Sequence, residues 1–355
     1  MIDLEFLCQL CLASGTSGHE LAFQRVVAER LRAHVPAARI ELDTLGNLMA
    51  TIGADQPDAV RILLAAHADQ IGAIVTGADE RGFVQIGAAG FIDAELLPGR
   101  FVVVHTSAGP RDAVVGRLPN DFIREQDRGK VVQFEDLWLD VGAESREAAL
   151  AAVQIGDPVT FGPHFSEISP GRYASPALDN RAGVYAAFRA LESLAEDCEG
   201  ICVTAAATVG EETSFLGARR LTRELHPQFI IVVDVMWASD HPSITPQRAG
   251  GDVRLGRGPT VCRGAGANED LGALIRDEAA KEGVPVQARA AAGETLTDAD
   301  ELAATPDAAT ALIGIPLRYM HTAAEVVSGD DVENSVRLLT AVARRLAQRQ
   351  RPLEM

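Results

Sequence analysis

Helix-like and strand-like segments alternate through the second half of the chain, and this alternation constrains the fold more than any other feature. The apolar spacing predicts helices over 181–197, 214–225, 270–283 and 330–350, and strands over 201–209, 229–235 and 310–317. Such alternation is typical of a mostly parallel sheet with helices on both faces. The sequence therefore predicts an α/β fold.

The first half of the chain has a different sequence pattern. A helical pattern over 20–34 precedes a buried strand-like run, RILLAAH, that ends at His67. From residue 72 to 162, short alternating segments separated by Gly, Pro and Asp predict a small β domain. We therefore expect a discontinuous catalytic domain, 1–71 and 163–355, and an inserted β domain, 72–162, that serves oligomerisation or gating. The polar segment 119–133 within it is expected to be a long exposed loop.

The net charge and the cysteines indicate which binding partners and which cellular compartment to expect. The net charge of -18 is spread along 355 residues, which disfavours nucleic acid and anionic membrane surfaces as partners. No run reaches the roughly 18 uninterrupted apolar residues of a membrane helix. Asp3 and Glu5 stand where an export signal would carry Lys or Arg, and five cysteines fit reduced thiols. We therefore expect a cytoplasmic protein, in which the pair Cys8 and Cys11 packs in a helix.

Residues of the metal-ligating type follow several of the predicted strands. Ligands bind at the carboxyl ends of parallel strands, so polar side chains at those points are candidates for a site. Taken singly, each could be a hydrogen-bonded structural residue, a helix cap or a turn former. Together they form one set: His67, Asp69, Asp179, Glu211, Glu212, Asp234 and His321.

Such a set predicts a metal centre. Carboxylates gathered in one pocket would repel one another unless a cation neutralised them. Two divalent ions would balance three carboxylates and a bridging hydroxide. Mixed imidazole and carboxylate ligands suit zinc, cobalt or manganese better than calcium or magnesium. The predicted ligands are His67, Asp179, Glu212, Asp234 and His321.

Two further carboxylates are expected to support these ligands. If the strand continues beyond His67, the side chain of Asp69 projects to the same side and can accept the other imidazole N–H. Glu211 and Glu212 would diverge on an extended segment, so that one binds metal while the other faces the reacting water. Among the remaining histidines, His241 is the one we expect to line the pocket.

Five segments occur in a particular order: AAHADQIG, ALDNRAG, VGEETSFLGA, VVDV and YMHTAAEVV. In this order they resemble the motifs of the tetrahedral aminopeptidases, a di-metal family that includes glutamyl, leucyl and lysyl aminopeptidases and members once labelled endoglucanase. The similarity runs through the whole chain. It implies a di-zinc exopeptidase-like fold, removal of N-terminal residues from short peptides with a free N-terminus, and homodimers joined into a hollow dodecamer.

The same resemblance implies a role for each matched residue. One metal ion would be held by His67, Asp179 and Asp234. The other would be held by Asp179, Glu212 and His321, with Asp179 bridging. Glu211 would be the general base that activates a metal-bridging water, and Asp69 a supporting catalytic residue. The resemblance also places Asp179 beside an unusual peptide bond.

The chain departs from the family pattern at several positions. Gln70 stands where Glu is usual, Ser214 where Gly is usual, and Leu216 where Arg is common. The segment TLTDADEL keeps a Thr-Asp-Ala core around Asp298 but lacks the usual preceding Gly. These departures leave the substrate preference and the assembly open.

Three other functions compete with an aminopeptidase. A glycosidase is disfavoured because its two carboxyl groups must flank the bond about 5 to 9.5 Å apart, whereas Glu211 and Glu212 are neighbours. A non-catalytic, metal-stabilised scaffold is disfavoured by the intact Glu211. An amidohydrolase that acts on acylated amino acids is separated from an aminopeptidase by the family motifs alone.

Overall fold

The protein is described by a computed structural model over residues 2–56, 58–127, 129–264 and 266–348. Its helices are α1 (Leu4–Leu12), α2 (Leu21–His34), α3 (Arg146–Ala152), α4 (Leu178–Leu194), α5 (Glu211–Ser214), α6 (Leu216–Glu224), α7 (Pro246–Ala249), α8 (Glu269–Lys281), α9 (Asp298–Leu302) and α10 (Gly329–Ala347). Its strands are β1 (Arg39–Leu42), β2 (Leu48–Ile52), β3 (Val60–His67), β4 (Gly72–Ala78), β5 (Val84–Ala89), β6 (Phe101–Thr106), β7 (Gly109–Arg117), β8 (Leu137–Asp140), β9 (Pro158–Phe161), β10 (Ser166–Ser169), β11 (Arg172–Ser175), β12 (Ile201–Thr208), β13 (Phe229–Trp237), β14 (Thr260–Gly264), β15 (Gln287–Ala291), β16 (Ala309–Arg318) and β17 (Glu325–Ser328). The end of the last predicted helix, 349–350, and the outermost residues of the predicted catalytic domain, 1 and 349–355, lie outside the described residues.

The main sheet is mixed, so the prediction of a mostly parallel sheet is correct for its centre and wrong for its edges. Its strand order is β1-β2-β12-β3-β13-β16-β17-β11-β10, with β14 and β15 branching from β16. The central strands β12, β3, β13 and β16 are parallel. The outer pairs are antiparallel, because β1 with β2 and β10 with β11 are strands joined by short turns, which reverse the chain.

Helices cover both faces of the sheet, as the alternation predicts. Ile62 and Leu64 of β3 belong to a core that includes residues of α1, α2, α4, α8 and α10. Leu63 and Ala65 belong to a second core with residues of α6 and α9. Since neighbouring residues of a strand point to opposite faces, a strand buried on both sides must be continuously apolar. This explains the unbroken run that ends at His67.

The small β unit predicted within 72–162 is a closed barrel. Strands β4 to β9 pair in the order β4-β5-β8-β7-β6-β9, and Val75, Val104 and Leu139 fill its interior. The predicted loop over 119–133 contains only 3₁₀ turns at Asn120–Phe122 and Glu125–Asp127 in its described part, and position 128 lies outside it. The domain division at 71/72 and 162/163, and a gating role for the loop, stay predictions.

Two expectations concern the state of the cysteines and the presence of membrane-spanning helices. All five cysteines are free, and Cys8 and Cys11 lie on α1 as expected. Within the described ranges, none of the helices combines the length and the apolarity that crossing a bilayer requires.

Gly183 controls how closely α4 approaches β13. A Cβ atom at this position would lie 2.7 Å from the carbonyl oxygen of Val233 and would also overlap the side chain of Asn180. The carbonyl is part of the sheet and cannot move aside. The absence of a side chain at residue 183 therefore brings the beginning of α4, with Asp179, against the strand that carries Asp234.

We expect Gly183→Ala to lower the free energy of unfolding by about 1–3 kcal/mol, because it forces extra volume into a packed helix–strand contact. Urea unfolding measures this difference. Gly272→Ala is the matched control, since Gly272 also lies inside a helix but its Cβ would meet only the flexible side chain of Arg276, at 3.3 Å. That variant should be neutral or more stable by up to about 1 kcal/mol. Equal effects of the two changes would contradict this explanation.

Candidate active site

The predicted site residues converge at the carboxyl ends of the central strands. His67 is the last residue of β3, Asp234 lies in the second half of β13, and Glu211 begins the short helix after β12. Asp179 lies at the start of α4, and His321 follows β16. The expectation that they meet at one edge of the sheet is met, because the four central strands run in one direction.

Asp179 lies between the two imidazoles. Its Oδ1 is 3.1 Å from His67 Nε2, and its Oδ2 is 3.3 Å from His321 Nε2. Glu212 Oε2 is 3.4 Å from the same nitrogen of His321, and Asp234 Oδ1 is 3.6 Å from His67 Nε2. The two oxygens of one carboxylate thus belong to two neighbouring groups of polar atoms.

Three groups of side chains bring their ligand-type atoms within 4.8 Å of one another. One contains His67, Asp179 and Asp234, and another contains Asp179, Glu212 and His321. The third joins His67 to Glu211 and Glu212. The first two groups have the membership that the resemblance implies for two metal ions, and their binding of metal stays a prediction.

Glu211 and Glu212 do not lie on an extended segment, and that prediction was wrong. They form the first turn of α5, which starts directly after Gly210 in a left-handed conformation with φ +68°. The turn still separates the two side chains: Glu212 approaches His321, while Glu211 Oε2 is 3.9 Å from His67 Nε2.

The carboxylate of Asp69 lies near His67 Nδ1, as expected, but its shorter contacts are with other groups. The nearest acceptor to His67 Nδ1 is the main-chain oxygen of Asp69, at 3.1 Å, whereas its carboxylate is 3.5 Å away. The reason is that β3 ends at His67, so the alternation of an extended strand does not continue. The carboxylate instead accepts the N–H groups of Glu211 and Glu212, at 3.0 and 3.1 Å, and the hydroxyl of Ser17, at 2.6 Å.

Asn180 anchors the start of α4. The peptide bond between Asp179 and Asn180 is cis, and both residues have non-helical backbone angles. The Asn180 side chain donates to the carbonyl of Val233, at 2.8 Å, and accepts from the N–H of Gly183, at 3.0 Å. Asp179 is thereby held beside the strand that carries Asp234.

Ser17 and Glu325 belong to the site but were missed by the sequence analysis. Glu325 accepts the N–H of Asp179 at Oε2, 2.9 Å, and the N–H of His321 at Oε1, 2.8 Å. The signal in the sequence is its place in the segment YMHTAAEVV, four residues after His321 and at the start of the buried run EVVS. Ser17 lies in a polar segment before α2 and carries no local signal.

Asp298 lies beneath the cluster. It is 1% exposed and accepts a hydrogen bond from the hydroxyl of Thr208, which lies opposite His67 in the sheet. Its Oδ1 is buried without a hydrogen-bond partner in the described protein. Burial raises the pKa of Asp298 to about 7, with the nearby charges of Asp234 and Asp69 acting in the same direction.

Seven carboxylates are buried together here, and their charges and burial shift the pKa values of the site residues. They are Asp69, Asp179, Glu211, Glu212, Asp234, Asp298 and Glu325. Burial raises the pKa values of Glu211 and Glu212 well above the usual range. Burial alone would lower the pKa of His67, but the carboxylates of Glu211 and Asp234 outweigh it and raise that pKa. Asp179 has a lowered pKa because the hydrogen bonds from His321 and His67 exceed the effect of burial.

The donor set fits divalent metal ions. The buried Oε1 of Glu212 has no hydrogen-bond partner within the described part of the chain. An unpaired carboxylate oxygen is costly to bury, and a coordinated cation removes that cost. Imidazole nitrogens combined with carboxylate oxygens are ligands that zinc, cobalt and manganese accept.

Gln70 contacts Arg181, the arginine of the ALDNRAG segment. Arg181 is fully buried, lies 3.6 Å from the ring centroid of Phe23, and donates to Gln70 Oε1, at 3.1 Å, and to the carbonyl of Ala68. Burial lowers the pKa of Arg181 to about 10. A neutral amide therefore takes the place where a glutamate would form an ion pair.

The other singled-out positions lie nearer the surface. Ser214 donates its hydroxyl to the carbonyl of Gly210, at 3.1 Å, and Leu216 is exposed at the start of α6. His241 packs against Tyr319, with ring centroids 5.4 Å apart, and is in none of the metal-ligand groups. Its lining of a substrate pocket stays a prediction.

Buried imidazoles and carboxylates lie together at the ends of the parallel strands of an α/β sheet, which is a hydrolase-like architecture. Comparison with known proteins identifies the family. The signature of the M42 glutamyl aminopeptidase family matches residues 46–338. The chain therefore belongs to the M42 glutamyl aminopeptidase family.

Relatives of full length agree with this assignment. The chain is 32% identical to a lysyl aminopeptidase of Pyrococcus furiosus over 353 residues, which cover 98% of each protein. It superposes on a TET aminopeptidase from a marine-sediment Thaumarchaeota archaeon with a TM-score of 0.90 and 27% identity, over 96% of each chain. It also superposes on the Pyrococcus horikoshii TET1 peptidase, which can assemble into a tetrahedron or a large octahedral shell, with a TM-score of 0.83 and 31% identity over 96% and 98% of the two chains.

The cluster predicts that Zn²⁺ or Co²⁺ stabilises the metal-stripped protein. Saturation at about 100 times the dissociation constant would add about 2.7 kcal/mol to the free energy of unfolding, measurable as a rise in Tm. Asp179→Asn should lose most of this metal-induced rise, since Asp179 belongs to two ligand groups. Asp331→Asn, a buried aspartate outside those groups, is the matched control and should keep the rise whatever its own stability. A wild-type Tm that does not respond to either metal would contradict the prediction.

Proposed function

We propose that the protein is a di-metal aminopeptidase that removes N-terminal residues from short peptides. One divalent ion would be held by His67, Asp179 and Asp234, and the other by Asp179, Glu212 and His321. Zinc or cobalt suits these ligands best, and manganese is acceptable. Membership of an aminopeptidase family supports the reaction, and the donor groups support the metal requirement.

The observation that carries this proposal is the position of Asp179. Each of its oxygens faces a different imidazole, at 3.1 and 3.3 Å, and each imidazole has a further carboxylate within 3.6 Å. A carboxylate shared in this manner is the bridging ligand that a two-metal site requires. Protonated imidazoles alone would also pair with Asp179, but they would leave the Oε1 of Glu212 unpaired.

Glu211 is assigned the proton transfers. When bound, the ions would supply positive charge that makes a water molecule more acidic and polarises the scissile carbonyl. The Glu211 carboxylate lies at the edge of the ligand cluster, 3.9 Å from His67 Nε2, and belongs to neither of the proposed ion sites. It can therefore accept a proton from the attacking water and deliver it to the departing amine. Burial raises the pKa of Glu211 well above its usual range.

Asp69 is assigned a positioning role in the same step. Its carboxylate holds the N–H groups of Glu211 and Glu212, so the base and a metal ligand are oriented by one group. The hydroxyl of Ser17 donates a third hydrogen bond to that carboxylate. Asp69 would thus act through the backbone of Glu211 and Glu212, and it belongs to none of the metal-ligand groups.

Assembly into a homo-oligomer, from dimer to hollow dodecamer, is part of the proposal. Support comes from the relative that forms a tetrahedron and from large apolar side chains exposed on the barrel unit, among them Phe91, Phe101 and Phe122. Apolar side chains of this size mark interaction surfaces when they form a patch. The barrel and the loop over 119–133 would then make subunit contacts or line the chamber, in a cytoplasmic particle that admits short peptides.

We expect Glu211→Gln to lower kcat for aminoacyl anilides by about 10²- to 10⁴-fold, because an amide cannot accept the proton of the attacking water. Hydrolysis of free-amine and N-acetylated anilides by zinc- or cobalt-loaded protein measures this loss and the substrate class together. Glu278→Gln changes a buried glutamate on α8, outside the cluster, and should retain the wild-type rate.

The same assay separates the competing functions. Cleavage of free-amine substrates only, lost in Glu211→Gln, is the result expected for an aminopeptidase. Cleavage of the acetylated substrates would favour an amidohydrolase that acts on acylated amino acids. Metal binding without turnover of any substrate would favour a non-catalytic scaffold.

A further inference from the structure

Glu325 is a buried carboxylate that belongs to none of the metal-ligand groups. It begins β17, is 1% exposed, and lies in a strand that pairs with β11 on one side and β16 on the other. The backbone around it is therefore fixed by the sheet. Its side chain nevertheless reaches the site.

Both oxygens of Glu325 are occupied by main-chain donors from two segments of the site. Oε2 accepts the N–H of Asp179, 146 residues away, at 2.9 Å. Oε1 accepts the N–H of His321 at 2.8 Å. Asp179 and His321 are two of the three members of one ligand group, so a single carboxylate sets their relative position.

The backbone at His321 needs such a partner. His321 has φ +62° and Tyr319 also has φ +62°, in the left-handed region that residues other than glycine rarely adopt. A residue in this region persists where its surroundings fix it. The direction of the imidazole follows from this backbone conformation, and the hydrogen bond from His321 N–H to Glu325 stabilises it.

Asp69 has the same arrangement on the other side of the pocket. It accepts the two adjacent N–H groups of Glu211 and Glu212. The site therefore contains two carboxylates, Asp69 and Glu325, that each orient a pair of site residues through the main chain. Each of the two pairs supplies at least one proposed ligand.

We infer that Glu325 is a positioning residue that sets the metal affinity of the group formed by Asp179, Glu212 and His321. This inference rests on the proposed two-metal function. The group formed by His67, Asp179 and Asp234 depends on Glu325 less, because only Asp179 is common to both. Glu325 thus tunes one ion site selectively without touching an ion.

Glu325→Gln tests this with minimal change of shape. A carboxylate accepts two N–H bonds, whereas an amide offers one acceptor oxygen and turns an NH₂ donor toward the second N–H. The variant must therefore lose either the bond to Asp179 or the bond to His321. Either loss displaces a ligand of the group formed by Asp179, Glu212 and His321, whereas only loss of the bond to Asp179 also affects the other group.

Calorimetric titration of the metal-free proteins with Zn²⁺, together with the absorption spectrum of bound Co²⁺, measures the two sites without any assay of turnover. The wild type should show two binding steps. Glu325→Gln should weaken one step by about 10- to 100-fold, the typical effect of losing a residue that orients a metal ligand. His321→Ala should abolish that same step, and adding Glu325→Gln to His321→Ala should change the remaining step little, since the two residues act on one site.

Two controls separate positioning from folding. Glu278→Gln alters a buried glutamate that pairs with Lys281 on α8, and it should retain both binding steps. Urea unfolding of the metal-free proteins shows whether Glu325→Gln is folded. If that variant does not fold, Glu325→Asp takes its place, because it keeps both acceptor oxygens on a shorter side chain, and it should weaken the same step.

The outcomes distinguish this inference from the proposed function. Two unchanged binding steps in folded Glu325→Gln, or equal weakening of both steps, would overturn the positioning role and leave the two-metal proposal standing. A wild-type protein that binds neither Zn²⁺ nor Co²⁺ would overturn the proposed function and the inference with it. Selective loss of the step that His321→Ala also removes is the result that supports Glu325.

Discussion

Seven carboxylates lie buried together at the carboxyl ends of the central strands, and the surrounding backbone is arranged so that they remain there. A buried charge is tolerated only where hydrogen bonds or opposite charges compensate it. Asp69 and Glu325 are compensated by main-chain N–H groups, and Asp179 by two imidazoles. The Oε1 atom of Glu212 has no such partner within the described residues. Of the two carboxylate oxygens of the cluster that lack a partner in the described part of the chain, one thus belongs to a proposed metal ligand, and the other is Asp298 Oδ1.

This compensation explains why so much of the site consists of irregular backbone. The first turn of α5, the start of α4 and the loop after β16 each leave the regular hydrogen-bond pattern of helix or sheet, and each directs N–H groups at a carboxylate. Main-chain donors are held by the rigid strands next to them, so they orient a side chain with little loss of freedom. Close packing at Gly183 completes the arrangement by pressing α4 against β13.

The sequence could predict the elements whose signal is local, and it could not predict those that depend on distant pairing. Periodicity located the central strands and helices, and the strand-end rule located His67, Glu211, Asp234 and their neighbours. The antiparallel pairing at the edges of the sheet was missed because periodicity identifies strands but does not encode the direction in which they pair. The role of Glu325, which lies in the segment YMHTAAEVV, was missed because its partner Asp179 is 146 residues away. The Glu211–Glu212 turn was mistaken for extended chain because a four-residue helix has no recognisable period.

The charge of the cluster also gives a physical reason for glutamine at position 70. Two divalent ions and the buried Arg181 carry less positive charge than seven ionised carboxylates carry negative charge, and burial raises the pKa of one of them, Asp298, to about 7. A glutamate at position 70 would form an ion pair with Arg181. The positive charge of Arg181 would then stabilise Asp69, Asp179 and Glu20 less, although it now interacts with all three. Gln70 accepts a hydrogen bond from Arg181 without adding a further negative charge. Arg181 thereby remains a counter-charge for the whole cluster, although a neutral amide is its nearest side-chain partner.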